Sequence, residues 1–334
     1  MKKVIIIYLF CIISMFFLPV FLVEKYNVVN EENNIPKEDQ NIKLKLLLSE
    51  QNQIIDISLD EYIMGVLVGE MPIDYEFEAL KAQAVVARTY TLNKIINSYK
   101  THENADICDD INHCQAYKTK EYALKCWDDD VENDKWNKIK NAVLETKNEV
   151  ITYDGNLINA FFHANSAGIT EDICNIWGHE NIPYLKSVKT EGEEILIEKK
   201  FFSLEDINRI LKEKYDNYIE IKQITMQNNN MKIQCIGNNE ELQDLVIEKN
   251  SSGRVSKMKI SNIELEGTEV RTLFDLRSTM FDIQFKEKSI IFNTKGYGHG
   301  IGLSQYGSNY MAKNGSDYKE IIMHYYIGTK ITNL

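Results

Sequence analysis

The 334-residue chain is short of positive charge, with 38 Lys and Arg against 50 Asp and Glu and a formal net charge of -12. Proteins that wrap a nucleic-acid backbone depend on clustered basic residues, so the balance argues against nucleic acid as a partner. Several catalytic frames are missing as well. Ser166 lacks the G-x-S-x-G surround of a nucleophile elbow, which leaves a serine hydrolase poorly supported. The glycines at 296, 298, 300 and 302 fail the G-x-G-x-x-G register and no G-K-[ST] follows them, so nucleotide phosphate binding is not the right inference. What the chain has in quantity is apolar side chains, 44% of residues with 10% aromatic, enough at this length for one large globular domain or two smaller ones.

Residues Val4 to Val23 are uncharged and long enough to cross a hydrocarbon core, and Lys2 and Lys3 precede them. They read as a retained transmembrane anchor, with residues 1–3 cytoplasmic and everything after Val23 on the other side of the membrane. A cleaved signal peptide is the competing reading, but its apolar region is usually shorter and ends at an A-x-A-like site that is missing here. Residues 24–41, EKYNVVNEENNIPKEDQN, are polar and form a tether. The domain proper then covers 42–334.

Within it, Ser58 followed by Glu61 reads as a capping box that opens a helix. The apolar stripe Ile63, Val66, Leu67 continues onto Glu70, so the helical period carries a carboxylate toward the buried face, and Pro72 stops the helix just beyond it. A carboxyl group at a helix C-terminus among apolar neighbours has its ionised form disfavoured by desolvation and by the macrodipole. Such a group suits a general acid; the plainer reading is a glutamate frayed into solvent. A second helix runs from about Asp74 to Tyr99, with Phe77, Leu80, Ala84, Ala87, Thr91 and Ile95 on one stripe and Arg88 flanking it, an arginine expected to pair with a carboxylate or an anionic ligand. Next come His102, Cys108 and Cys114, spaced H-x5-C-x5-C. They supply three corners of a tetrahedral zinc site with His113, Cys126, an Asp or water as the fourth, or else a Cys108 to Cys114 disulfide. The acidic run Asp128 to Asp130 reads as a solvated loop.

Asp154-Gly155 marks a hairpin between strands in Glu149 to Ala160. It leads into FFHANSAGITED, a strand exit carrying His163, Asn165, Ser166 and Thr170, and then into an extended segment with Tyr184 and Lys186 on one side. Residues 199–267 change character, with a helix capped by Ser203 and then short strands, and read as an inserted subdomain. The glycine-rich run around His299 precedes a helix carrying Gln305 and Tyr306, and Asp317 to Tyr326 closes the chain as a helix. The fold class is α+β, a main domain of helices and antiparallel strands with a smaller inserted α+β subdomain and a cleft between them.

In order, VLVGEMP, LKAQAVVARTY, CQAY, FFHANSAGITED, PYLKSV, VRTLFDLRSTMF and GYGHGIGLSQYG resemble the signatures of the stage II sporulation protein D family, which includes amidase enhancers of the bacterial wall. The resemblance runs from about Asp56 to Gly328. It implies a lytic transglycosylase acting on peptide-stripped peptidoglycan glycan strands, with Glu70 as catalytic acid and base. Arg88, Tyr184 and Lys186 fall in motifs tied to substrate binding, and His163, Ser166, His299, Gln305 and Tyr306 fall in its cleft segments. Ala167 stands where many relatives carry glycine. The anchor and the cysteine segment look most like clostridial sporulation members, in which this segment holds one structural zinc ion, here at His102, Cys108 and Cys114. An open fourth metal position would also suit a metalloamidase, although two thiolates and one His are more typical of structural zinc. Further expectations from the resemblance are an anchored amidase and a polytopic membrane protein as partners, and a place in the mother-cell membrane during forespore engulfment.

Overall fold

The computed structural model describes residues 42–97, 102, 104–127, 132–178, 181–227, 230–236, 242–286 and 289–334. The expected anchor at 4–23, the tether at 24–41 and the acidic run at 128–130 lie outside these residues. Among the described residues no helix is long and apolar enough to cross a membrane.

The architecture is α+β, with helices packed around small, mostly antiparallel sheets. Lys43–Leu48 and Gln53–Ser58 form an antiparallel hairpin that delivers the chain directly into the helix Leu59–Glu70. The capping box is present in full: the Ser58 hydroxyl accepts from the Glu61 N–H, and the Glu61 carboxylate accepts from the Ser58 N–H at 3.2 Å. Met71 leaves the helix in extended geometry (φ -118°, ψ 132°), as expected of the residue before Pro72.

The second helix, Phe77–Ile96, is the axis of the molecule. Residues 82 to 89 are all buried, so it has no solvent face along this length. One side, with Leu80, Ala84 and Ala87, packs in a core with Tyr62, Leu67, Ile107 and Ile139. The other, with Ala82, Val85 and Val86, packs against Ile151, Ile158, Leu303 and Tyr326. The small side chains at 79, 82, 84 and 87 permit this approach from both sides. The single apolar stripe expected from periodicity is thus replaced by an apolar circumference, the pattern of a helix enclosed by the rest of the fold.

A third cluster draws on residues 202–292, including Ile207, Phe274, Phe281 and Phe292, packed between three-stranded sheets and the helices Leu204–Lys214 and Gly267–Leu273. Phe274 stacks on Phe292 at 4.9 Å, and Phe281 meets Phe292 edge-on at 5.5 Å. Burying each such ring is worth about 2–3 kcal/mol. This core extends past residue 267 because the strand Ser289–Lys295 pairs on one side with Phe281–Lys286 and on the other with Ile197–Ser203. At the hairpin after Glu149–Tyr153, Asp154 and Gly155 both take positive φ (48° and 81°), the geometry of a type I′ turn.

Candidate active site

Glu70 is the last residue of its helix and half-buried. The segment 115–118 crosses the helix beside it, and glycines make that crossing possible. A side chain at Gly65 would overlap the Tyr117 ring, and one at Gly69 would meet the Ala116 carbonyl carbon at 2.9 Å. Tyr117 stacks on Tyr62 at 5.7 Å, and the Lys118 N–H donates to the Gly65 carbonyl at 3.0 Å. Held this way, the Ala116 N–H donates to Glu70 Oε1 at 2.7 Å. Burial pushes the Glu70 carboxyl above its ordinary value; the Ala116 N–H and the Gln305 amide oppose that shift without cancelling it.

Glu70 lines a cavity of about 560 Å³. His163, His299 and Gln305 share it, so these three sequence candidates and Glu70 do come together. Both histidines are held neutral. His163 is buried with Nδ1 3.1 Å from the Ile301 carbonyl, and burial pulls its pKa well down. Burial also lowers His299, to about 3, assisted by the charges of Arg271 and Arg254. His163 Nε2 is buried without a hydrogen-bond partner among the described residues. Such groups are costly unless something else satisfies them, and a hydroxyl-rich or amide-rich ligand would do so. The glycine run places His299 by lying directly on the strand of His163: Gly298 takes φ 111°, and a side chain there would meet His163 Cβ at 2.7 Å.

The other candidates lie elsewhere. Arg88 does not line the cavity. It is fully buried, and its guanidinium donates to the Val143 carbonyl at 3.2 Å and the Glu149 carbonyl at 3.1 Å, capping the end of the helix Glu132–Glu145. The helical period could not show this, because the face it was expected to flank is covered on every side. Arg88→Ala should therefore cost about 3 kcal/mol of stability, and denaturation should show any residual activity tracking the folded fraction. Ser166 is buried in its turn, its N–H and hydroxyl both donating to Glu193 at 2.6 Å. The next residue, Ala167, has φ 62°, a conformation that glycine adopts at no steric cost. The Tyr184 hydroxyl accepts from the Asn159 N–H at 3.2 Å, and Lys186 pairs with Asp172 at 2.9 Å. Tyr306 packs edge-on against Tyr75 at 5.8 Å beside the cavity rather than in its lining.

Sequence reading missed Tyr90, Phe161, Arg271 and Tyr297, which also line the cavity. All four sit inside the quoted sequence runs, but only the tertiary fold brings them to the cavity of Glu70.

His102, Cys108 and Cys114 converge, with one ligand atom from each lying within 4.8 Å of the others. Cys114 Sγ is 4.0 Å from His102 Nε2, and both cysteines are free thiols. Cys108 belongs to a short strand paired in parallel with Leu46 and Leu47, while residues 111–116 form one wall of the cavity. Two thiols and an imidazole at these separations fit a tetrahedral thiophilic cation.

A family described as stage II sporulation protein matches residues 48–153, and a domain of unknown function matches 171–302. Stage II sporulation protein D of Bacillus subtilis is 32% identical over 286 residues, covering 84% of this chain and 76% of that protein. The protein of the same name from Bacillus amyloliquefaciens is 30% identical over 292 residues, covering 87% of this chain and 79% of its own length. The chain belongs to the stage II sporulation protein D family. An amidase enhancer of Bacillus subtilis is also similar, 27% identical over 306 residues, 81% of this chain and 40% of that protein. The two matched segments of this sporulation protein meet at the cavity: Glu70 and the cysteine loop come from the first, Arg271 and His299 from the second.

Proposed function

We propose that this sporulation protein is a lytic transglycosylase that cleaves the bond between N-acetylmuramic acid and N-acetylglucosamine in peptide-stripped glycan strands, leaving 1,6-anhydro ends. The observation that carries the proposal is a carboxyl group acting alone. Glu70 is raised by burial, and no second Asp or Glu is among the described residues that line its cavity. Hydrolysis with inversion or retention calls for a second carboxylate across the sugar. An intramolecular nucleophile, the sugar's own 6-hydroxyl, does not.

Protonated Glu70 gives its proton to the glycosidic oxygen as the ring develops oxocarbenium character, and the carboxylate so formed takes the proton of the 6-hydroxyl as that oxygen closes on the anomeric carbon. The Ala116 N–H holds Oε1 and fixes the carboxyl plane during both transfers. Neutral His163 and the Gln305 amide are placed to bond the sugar's acetamido and hydroxyl groups, and Tyr90, Phe161 and Tyr297 offer apolar faces to the rings.

His102, Cys108 and Cys114 would hold one structural zinc ion, which supplies a cross-link in the cavity wall and no step of the chemistry. The protein would be anchored by residues 4–23 in the mother-cell membrane and act beside an anchored amidase and a polytopic membrane protein during engulfment. In that order of work the amidase strips the peptides and this chain cuts the glycan. Mass spectrometry of peptide-free strands after incubation tests the reading. Anhydro ends support it. Reducing ends make the protein a hydrolase, and intact bound strands make it a glycan-binding scaffold or amidase enhancer.

A further inference from the structure

We infer that Arg271 is a specificity-determining residue that binds the free lactyl carboxylate of a peptide-stripped muramic acid and so lets the cavity distinguish processed strands from unprocessed ones. The inference rests on the glycan-cleaving reading above and adds to it the group by which the substrate is recognised.

Arg271 stands on the helix Gly267–Leu273 and lines the same cavity as Glu70. Its two arginine neighbours are each paired: Arg254 lies 3.8 Å from Glu171, and Arg277 lies 2.9 Å from Glu198 with its guanidinium 5.4 Å from the Tyr297 ring centroid. Arg271 has no carboxylate partner among the described residues. Its Nε donates to the Leu276 carbonyl at 3.3 Å, which orients the guanidinium and leaves the terminal nitrogens without a hydrogen bond to the described residues. Asp275, the acid that most influences it, gives its own carboxylate to Lys200 at 2.6 Å. In a chain of net charge -12, a half-buried guanidinium left without an acid is an anion site by charge and by shape.

The chemistry of the strand supplies one matching anion. Each muramic acid carries a lactyl group whose carboxyl is an amide while the peptide is attached and a carboxylate once an amidase has removed it. N-acetylglucosamine carries no ionised group. A planar, bidentate cation therefore reads the one ionised group that distinguishes a stripped sugar, and a lactyl amide in its place leaves the guanidinium without its ionic partner.

The test is binding by the full chain in detergent, carrying Glu70→Gln so that strands survive. Two probes are used: amidase-stripped strands with free lactyl carboxylates, and the same strands with those carboxylates converted to methylamides. Free strands are expected to bind at least about tenfold tighter. Arg271→Gln should abolish that difference, and Arg271→Lys should keep part of it. A preference that survives Arg271→Gln, or no preference with Arg271 intact, overturns the inference while leaving the glycan-cleaving reading standing. Failure to bind either strand defeats that reading itself. Should Arg271→Gln not fold, a salt titration with Arg271 present decides the matter: the preference must shrink as ionic strength rises, and a preference indifferent to salt overturns the assignment.

Discussion

Glu70→Gln is expected to lower the rate of anhydro-end formation by about 10² to 10⁴-fold while leaving the fold and glycan binding in place. Glutamine keeps the shape of the side chain and can still accept from the Ala116 N–H, but it has no proton to give at the glycosidic oxygen and cannot become the base that follows. Kinetics on stripped strands separates this from a binding defect: kcat should fall with little change in KM. A variant that still forms anhydro ends at the native rate would remove Glu70 from the mechanism.

The same residue fixes the sign of the pH dependence. Its folded pKa is raised by burial, so the acid is competent below that pKa and kcat/KM falls as pH rises through it, above the usual carboxylate range. Stability follows the same sign. A raised carboxyl favours the folded state below its unfolded pKa, and that contribution is lost as pH climbs through the folded value. Glu70→Gln removes the penalty of ionising a half-buried carboxyl, so the variant should melt no lower than the parent at neutral pH. Any advantage it holds there should vanish in acid.

Glu70 was legible in the sequence because everything that marks it is local. The Ser58 and Glu61 cap, the stripe through Leu67 and the stop at Pro72 all lie within fifteen residues, and each appears in the structure as read. The convergence of His102, Cys108 and Cys114 was legible for the same reason, since a short segment can bring its own side chains together. Arg88 was not. Its placement depends on what covers the helix Phe77–Ile96, and the cover comes from residues 143–160 and 303–326, far along the chain. The near-unbroken small and apolar run from Ala82 to Ala87 was the available sign that this helix has no outer face. Arg271 had no local sign at all, because what distinguishes it from Arg254 and Arg277 is the absence of an acid beside it in space.

Removing the proposed zinc, by chelation or by Cys108→Ser, is expected to take it from about one equivalent per chain to none and to abolish the proposed cleavage, because the loop from Cys108 to Ala116 does two jobs at once. Its beginning is tied to the sheet without help: the Lys45 N–H donates to Asp106 and the Ser49 N–H to Asp109, each at 2.8 Å. Its end is tied by the Gln115 amide, which donates to the Thr91 hydroxyl at 3.0 Å, and by the Lys118 N–H at the Gly65 carbonyl. Cys114 lies next to Gln115 and two residues before the Ala116 N–H that bonds Glu70, so a cross-link at Cys114 would tighten the register of this cavity wall. Burial pushes the Cys108 thiol up, which means that it keeps its proton until a cation displaces it. Zinc uptake should accordingly release protons and weaken in acid. Structural zinc contributes on the order of 10 kcal/mol in small domains. Here the core of residues 202–292 makes no use of the site and should stay folded, so limited proteolysis after chelation should cut within 102–116 first. Reduced, metal-free protein that resists proteolysis there and still cleaves strands would show that the three ligands are an ordinary thiol cluster.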